Sequence, residues 1–333
     1  MKALIKAISY YLPEYQLDNT IIEQDFPEWS IDKIASKTGI HCRNISANDE
    51  TSVDMAVKAA EKLFKEHQID RNTIDFVILC TQSPDYFLPT SACIIQERLG
   101  LPTSVGAFDF NLGCSGFVYG LGIAKGFIAS GQAKNVLLIT SETYSKFIHP
   151  KDKSNKTIFG DAAAATLIST DGFAEILNME YGTDGKGADN LIVKNGGLRN
   201  FNLKSEEILD EFGNIHSDNH LYMNGSEIFT FTLTAVPKLI QNTLLKNNIE
   251  SSNIDLYIFH QANKFMLDSL RKKIKIDQEK FYLYLENCGN TVSSTIPIAL
   301  YHAEKEGKLS KNQNILLAGF GVGYSWAGTI LKT

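Results

Sequence analysis

Unbroken apolar runs alternate with amphipathic stretches along the chain. "DFVILC" (75–80), "NVLLIT" (135–140), "DLYIFH" (255–260) and "NILLAGFG" (314–321) leave no polar face. Strands of this kind are covered on both sides, as in a mostly parallel sheet under helices. Between them, "SVDMAVKAAEKLFKEHQ" (52–68) and "LTAVPKLIQNTLLKNN" (233–248) carry apolar residues at helical spacing. "SVGAFDFNL" (104–112) reads as a further short strand, and the first nineteen residues as a strand and turn. The pattern predicts an α/β fold without low-complexity segments or flexible linkers.

The pattern also repeats. "IDFVILC" from Ile74 matches "IDLYIFH" from Ile254, "NVLLITSE" from Asn135 matches "NILLAGFG" from Asn314, and "NLGC" from Asn111 matches "NCGN" from Asn287. The offsets are 180, 179 and 176 residues (254 − 74, 314 − 135 and 287 − 111). Three matches in chain order at nearly one offset predict two copies of one α/β unit. The copies are expected to span residues 1–172 and 173–333 and to pack about a pseudo-twofold axis. In this alignment Cys114 faces Asn290 and Cys80 faces His260, so Cys114, His260 and Asn290 are expected to share one cleft.

Each of the three has a plain structural alternative. Cys114, in "NLGCSGFVYGLGIAKGFI", precedes a stretch that is apolar all round and so reads as a buried helix. A small core residue is the simple reading of such a cysteine. A helix start, however, offers free N–H groups and a dipole that favour a thiolate. His260 follows an apolar strand within the polar cluster His260-Gln261-Ala262-Asn263, the strand end where α/β sheets place ligands. Gln261 and Asn263 are therefore candidate substrate contacts. Asn290, in "ENCGNTVSSTIPIAL", also suits a turn or cap; its alignment with Cys114 suggests more. "GFGVGYSWAGTIL" from Gly319 is not a GxGxxG phosphate loop. Its small residues suit a close backbone approach, and the N–H of Val322 with that of Cys114 would form an oxyanion hole.

Composition narrows the class. The chain has 333 residues, 44% of them hydrophobic, and a formal net charge of −6. That charge argues against general nucleic-acid binding. No apolar run is long enough to span a bilayer and the N-terminus lacks a signal-peptide pattern, so a soluble cytoplasmic protein is expected. Five cysteines (Cys42, Cys80, Cys93, Cys114, Cys288) without a CxxC pair suggest neither a disulfide framework nor zinc.

With these motifs assembled, the chain resembles the 3-oxoacyl-acyl-carrier-protein synthase III (ketoacyl synthase III) family of the thiolase-like superfamily. "DKIASKTGIHCRNIS", "NLGCSGFVYGL", "FGDAAAA", "HQAN", "GNT" and "GFGVGYSW" carry the resemblance, in order and across nearly the whole chain. It implies a duplicated, five-layered αβαβα fold. It implies acyl transfer to Cys114 and then decarboxylative condensation with a malonyl thioester, whose carbonyl His260 and Asn290 would hold, in fatty-acid or specialised lipid synthesis. The implied partners are an acyl-CoA or acyl-carrier-protein primer and malonyl-carrier protein, with no cofactor or metal. A homodimer is implied as well, in which "SPDYFLPTS" (83–91) brings Tyr86, Phe87 and Leu88 to the other subunit's acyl pocket. Two alternatives stay open: acyl transfer to an amine or hydroxyl acceptor, and a Cys–His–Asn hydrolase. The hydrolase would leave the internal repeat unexplained.

The resemblance has departures. The family clamps the adenine of coenzyme A between a Trp and an Arg. Here those positions hold Lys33 and Lys37, with Trp29 the nearest Trp, and Lys153 stands at a second Arg position. Lysine attracts phosphate but does not stack as Arg does. Val322 replaces a common glycine but keeps its N–H. For an acidic carrier protein, local basic candidates are Lys33, Lys37, Lys151, Lys153, Lys156, Lys264 and Arg271-Lys272-Lys273.

Overall fold

The apolar runs become neighbouring strands of one sheet. The structure, a computed structural model, describes residues 1–210 and 213–333. In the first part of the chain, β4 (Phe76–Cys80) lies between and parallel to β5 (Gly106–Phe110) and β6 (Asn135–Glu142). β7 (Ala162–Ser169) runs antiparallel to β6, and β1 (Leu4–Tyr11) antiparallel to β7. The second part repeats the scheme. β14 (Leu256–Phe259) is parallel to β15 (Asn314–Gly321), and β16 (Ser325–Lys332) is antiparallel to β15. Even the edge is echoed, because Tyr257 makes a parallel bridge to Phe281 where β4 pairs with β5. β8 (Ala174–Ile176) pairs with both β1 and β16, joining the arms into one 10-stranded sheet, and β9 (Glu180–Thr183) adds to β16.

Alternation along each strand sorts side chains into layers. Ile78, Val136 and Leu138 from one arm, and Ile258, Ile315 and Leu317 from the other, meet in one core. Between them lie α5 (Gly116–Ala129) and α9 (Thr295–Lys305). Val77, Leu79, Leu137 and Ile139 point the other way, onto α3 (Ser52–His67) and α4 (Ser91–Arg98). Leu316, Ala318 and Phe259 likewise face α7 (Gly225–Asn247) and α8 (Lys264–Ile274). The order is helix, sheet, helix, sheet, helix, which is the five-layered arrangement. α5 is apolar all round because both of its faces meet a sheet.

Local chemistry sets the helix ends. Thr51 and Asp54 form a reciprocal capping box on α3, and Gln68 ends it in the left-handed conformation. α7 begins at Gly225, eight residues before the expected 233 (233 − 225), because the Asn224 side chain accepts from the Glu227 N–H. The aromatic and β-branched run "IFTFTLT" conceals that start, since such residues favour strands.

A smaller layer covers the first arm. β2 (Tyr15–Asp18) pairs with β3 (Cys42–Ile45), with α1 (Asn19–Asp25) and α2 (Ile31–Thr38) between them. α6 (Lys153–Lys156) follows β6. Two short pairings, β10 (Leu191–Ile192) with β13 (Tyr222–Met223) and β11 (Ile208–Leu209) with β12 (Ile215–His216), complete the described residues. Among them no helix is long and apolar enough to cross a membrane, and all five cysteines are unpaired.

Candidate active site

Cys114 sits on the turn that starts α5, with the Gly116 N–H bonded to the Gly113 carbonyl at 2.8 Å. The end of β15 lies directly against it. A Cβ on Gly321 would stand 2.8 Å from both Cβ and Sγ of Cys114, and one on Gly319 would stand 2.9 Å from the Ser115 Cα. Only glycine permits that approach. Below the turn, the Ser115 and Ser325 hydroxyls pair at 2.5 Å.

The same strand end reaches His260. The His260 N–H donates to the Ala318 carbonyl at 2.8 Å, and its imidazole meets the Phe320 ring edge-on at 5.8 Å. Its Nδ1 lies 2.8 Å from Thr295 Oγ1. Asn290 is fixed by its backbone, which donates to Ile158 and accepts from Gly160 at 2.9 and 3.0 Å. Its Oδ1 accepts from the Val292 N–H at 2.9 Å. The amide oxygen is thus engaged, and among the described residues Nδ2 donates to no protein acceptor. Between Asn290 and Thr295, Val292 has φ +54°, a strained value for a buried β-branched residue. Cys114, His260 and Asn290 are 6%, 2% and 4% exposed, so all three work in a low-dielectric setting.

Burial dominates the protonation states. It holds His260 neutral, lowering its pKa to about 3. It also pushes the Cys114 thiol up to about 12, with the Glu142 carboxyl adding to the rise. The N–H groups of Val322 and of Cys114 face the sulfur and oppose that shift. A thiolate favoured by the helix start is therefore not the resting state, because desolvation outweighs the two N–H groups that oppose it. Among the described residues no hydrogen bond joins Cys114 to His260, unlike the nucleophile–base pair of a cysteine hydrolase.

Sequence reasoning missed Glu142. It is fully buried at the end of β6, and burial raises its pKa to about 8. Its carboxyl accepts from the Gln82 N–H at 3.2 and 3.1 Å, from Ser83 Oγ at 3.2 Å and from Ser293 Oγ at 3.1 Å. A carboxylate closing the apolar run "NVLLITSE" was the available signal. Gln82 was also missed. A Cβ on Gly113 would meet its Oε1 at 2.5 Å and the Val322 Cγ1 at 2.8 Å. Gln82 and Val322, both against Gly113, bound a cleft of about 890 Å³. Tyr144, Phe147, Leu191 and Phe87 also line it.

The remaining candidates fall in different places. Gln261 is fully buried, with Nε2 on the Phe259 carbonyl at 2.6 Å and Oε1 on the Tyr284 N–H at 2.8 Å. Asn263 caps α8 through the Met266 N–H at 2.9 Å. Lys33, Lys37 and Lys153 converge on Glu28-Trp29. The first two ammonium groups lie 5.1 and 5.4 Å from the Trp29 ring centroid, and Lys153 pairs with Glu28 at 2.7 Å. Phe87 is 71% exposed at the cleft. Among the described residues, no group of three or more His, Cys, Asp or Glu is placed to hold a metal ion.

Two family profiles match the chain: "3-Oxoacyl-[acyl-carrier-protein (ACP)] synthase III" over residues 108–185, and its C-terminal counterpart over residues 244–333. A beta-ketoacyl-[acyl-carrier-protein] synthase III of Clostridioides difficile is 37% identical, covering 99% of this chain and 98% of its own. A crystal structure of a 3-oxoacyl-(acyl-carrier-protein) synthase III superposes with TM-score 0.98 at 50% identity, with all of both chains covered. The Burkholderia xenovorans 3-oxoacyl-(acyl-carrier protein) synthase superposes at 0.91 with 36% identity, covering 99% of this chain and 94% of that one.

A thiol raised to about 12 is neutral at pH 7, and its thiolate fraction grows about tenfold per pH unit. Iodoacetamide labelling of Cys114, followed by peptide mapping to separate it from the exposed Cys93, is expected to accelerate continuously from pH 7 to pH 9. A plateau below pH 8 would show a stabilised thiolate instead.

Proposed function

The chain belongs to the 3-oxoacyl-[acyl-carrier-protein] synthase III family, and from that premise we propose that Cys114 carries the acyl group while His260 and Asn290 hold the extender. One observation carries this assignment of roles. Two consecutive residues of β15, Phe320 and Gly321, touch the His260 ring and Cys114 respectively, so one rigid strand end spaces nucleophile and donor.

The chain is an acyltransferase that condenses thioesters. In the proposed first step Cys114 sulfur attacks the primer thioester carbonyl. The N–H groups of Cys114 and Val322 bind the developing oxyanion. The bond to the departing thiol breaks, the Cys114 proton leaves with that thiol, and the acyl group stays on sulfur. A malonyl thioester then places its carbonyl between Asn290 Nδ2 and His260 Nε2. As CO₂ departs, the two donors stabilise the enolate. Its carbon attacks the acyl group, the bond to Cys114 breaks, and a 3-oxoacyl thioester leaves. The released Cys114 thiolate takes a proton from solvent, replacing the one that left with the primer thiol, and no cofactor is required.

In this reading residues 1–172 supply the nucleophile and 173–333 the two donors. The primer chain occupies the cleft beyond Gln82 and Val322. The active form is a cytoplasmic homodimer. Support comes from Tyr86, Phe87 and Leu88, which are 61%, 71% and 82% exposed beside that cleft and form an apolar patch suited to burial.

Cys114→Ala is expected to abolish acyl loading, read by intact mass. His260→Ala and Asn290→Ala are each expected to slow malonyl decarboxylation by roughly two to three orders of magnitude while loading persists. Unchanged decarboxylation in both would remove the enolate mechanism.

Light scattering is expected to give twice the mass of the chain at working concentration. A monomer there would contradict the dimer.

The donor expectation comes from the Trp29 cluster. Two ammonium groups occupy that ring, and Lys153 is already paired. Stacking of an adenine is worth about 1–3 kcal/mol, or roughly ten- to hundredfold in affinity. A carrier-bound primer is therefore expected to show higher kcat/KM than the same acyl group on coenzyme A, with greater salt sensitivity. Equal use of both donors, without salt effect, would show that the lysines do not govern donor choice.

A further inference from the structure

The neutral imidazole of His260 poses a tautomer question. A neutral ring carries one N–H. To donate to the extender carbonyl, that proton must sit on Nε2, and Nδ1 must then accept a hydrogen bond. Among the described residues, Thr295 Oγ1, at 2.8 Å, is the one side-chain group bonded to Nδ1. The pair is sealed from water, with His260 2% and Thr295 3% exposed.

Thr295 has one hydroxyl proton and two acceptors within reach, Nδ1 and the Val292 carbonyl at 3.0 Å. If the proton goes to Val292, Nδ1–H must donate to Oγ1, leaving Nε2 with a bare lone pair toward the substrate. A lone pair there repels an enolate oxygen. If the hydroxyl donates to Nδ1, the matching tautomer carries its proton on Nε2, which then joins Asn290 Nδ2 as a second donor. The 3₁₀ turn at Val292–Ser294 leads into α9, whose first residue is Thr295, and so holds the hydroxyl beside the ring.

We infer that Thr295 is a positioning residue whose hydroxyl donates to His260 Nδ1 during condensation and thereby keeps the ring proton on Nε2. The inference rests on the reading that His260 donates to the extender. No bond is made or broken at Thr295. The hydroxyl selects between two neutral tautomers of the ring by donating to one of its two acceptors.

The test compares T295V, T295S and His260→Ala for malonyl decarboxylation, and separately for acyl loading by intact mass. It adds ¹⁵N spectra of the His260 ring with a non-decarboxylating malonyl thioester analogue bound. T295V removes the donor and is expected to lose decarboxylation roughly ten- to hundredfold, the loss typical of outer-shell partners that orient metal-ligating histidines. Loading should stay within about twofold, because Cys114 does not depend on the His260 tautomer. T295S keeps the hydroxyl and is expected to remain near the parent. The ring spectrum should show Nε2–H in the parent and T295S, and shift toward Nδ1–H in T295V, where the Val292 carbonyl is left to accept. Retained decarboxylation in T295V, an equal loss of loading, failure of T295S, or an unchanged ring spectrum each overturns the inference. Should T295V not fold, Thr295→Ala makes the same comparison with less demand on packing. If His260→Ala itself keeps decarboxylating, the reading of the site fails. If it loses decarboxylation and T295V does not, only the role of Thr295 fails.

Discussion

The backbone of β15 packs directly against the Cys114 turn, and the rest of the site is arranged around that contact. Neither Gly319 nor Gly321 has room for a methyl group. Because β15 belongs to the second arm and Cys114 to the first, this contact fixes how the arms dock. It places the Val322 N–H at the sulfur and the Phe320 ring at His260. Helical glycines do related work deeper in the core, where a Cβ on Gly120 would strike Leu138 and one on Gly116 would strike Cys80. α5 can therefore lie close against β4 and β6 with Cys114 at its start.

Between the arms runs a seam of short hydroxyl side chains. Ser115 meets Ser325, Thr140 meets Ser294 at 2.8 Å, and Ser293 reaches Glu142. Each pair joins a residue of one arm to a residue of the other, in a setting where an unmatched polar group costs about 1–3 kcal/mol. Mispacked arms would strand several such groups together. The seam thus makes docking specific, where apolar surfaces alone would tolerate sliding. Arg43 extends the arrangement outward. It is fully buried, donates to the Thr157 carbonyl at 3.0 Å and bonds Asn19, tying the outer layer to the segment that pairs with Asn290.

Much of this architecture was legible because strands and caps are local. β15 matches "NILLAGFG" residue for residue, and the Thr51–Asp54 box marks the start of α3. The duplication was visible as well, since equivalent strands keep similar runs. What escaped depends on distant contacts. Gln261 stands in a polar cluster that reads as substrate-facing, yet its amide secures backbone on two sides. The position of Cys114 at a helix start suggested an acidic thiol, whereas its pKa answers to burial and to Glu142. Thr295 carries no pattern at all in "SSTIPIAL", because its interest lies wholly in what stands 2.8 Å away.

The close approach of β15 also has a consequence in time. The ribosome adds Cys114 two hundred residues before the strand that covers it begins (314 − 114). Chains emerge N-terminal part first, and early domains collapse before later ones exist. Until β15 arrives, the thiol lacks the enclosure that raises its pKa, and the Val322 N–H that faces it is absent. The nascent cysteine is then an ordinary thiol, open to adventitious oxidants and disulfides. Protection of the thiol from oxidation therefore begins with the docking of a single strand.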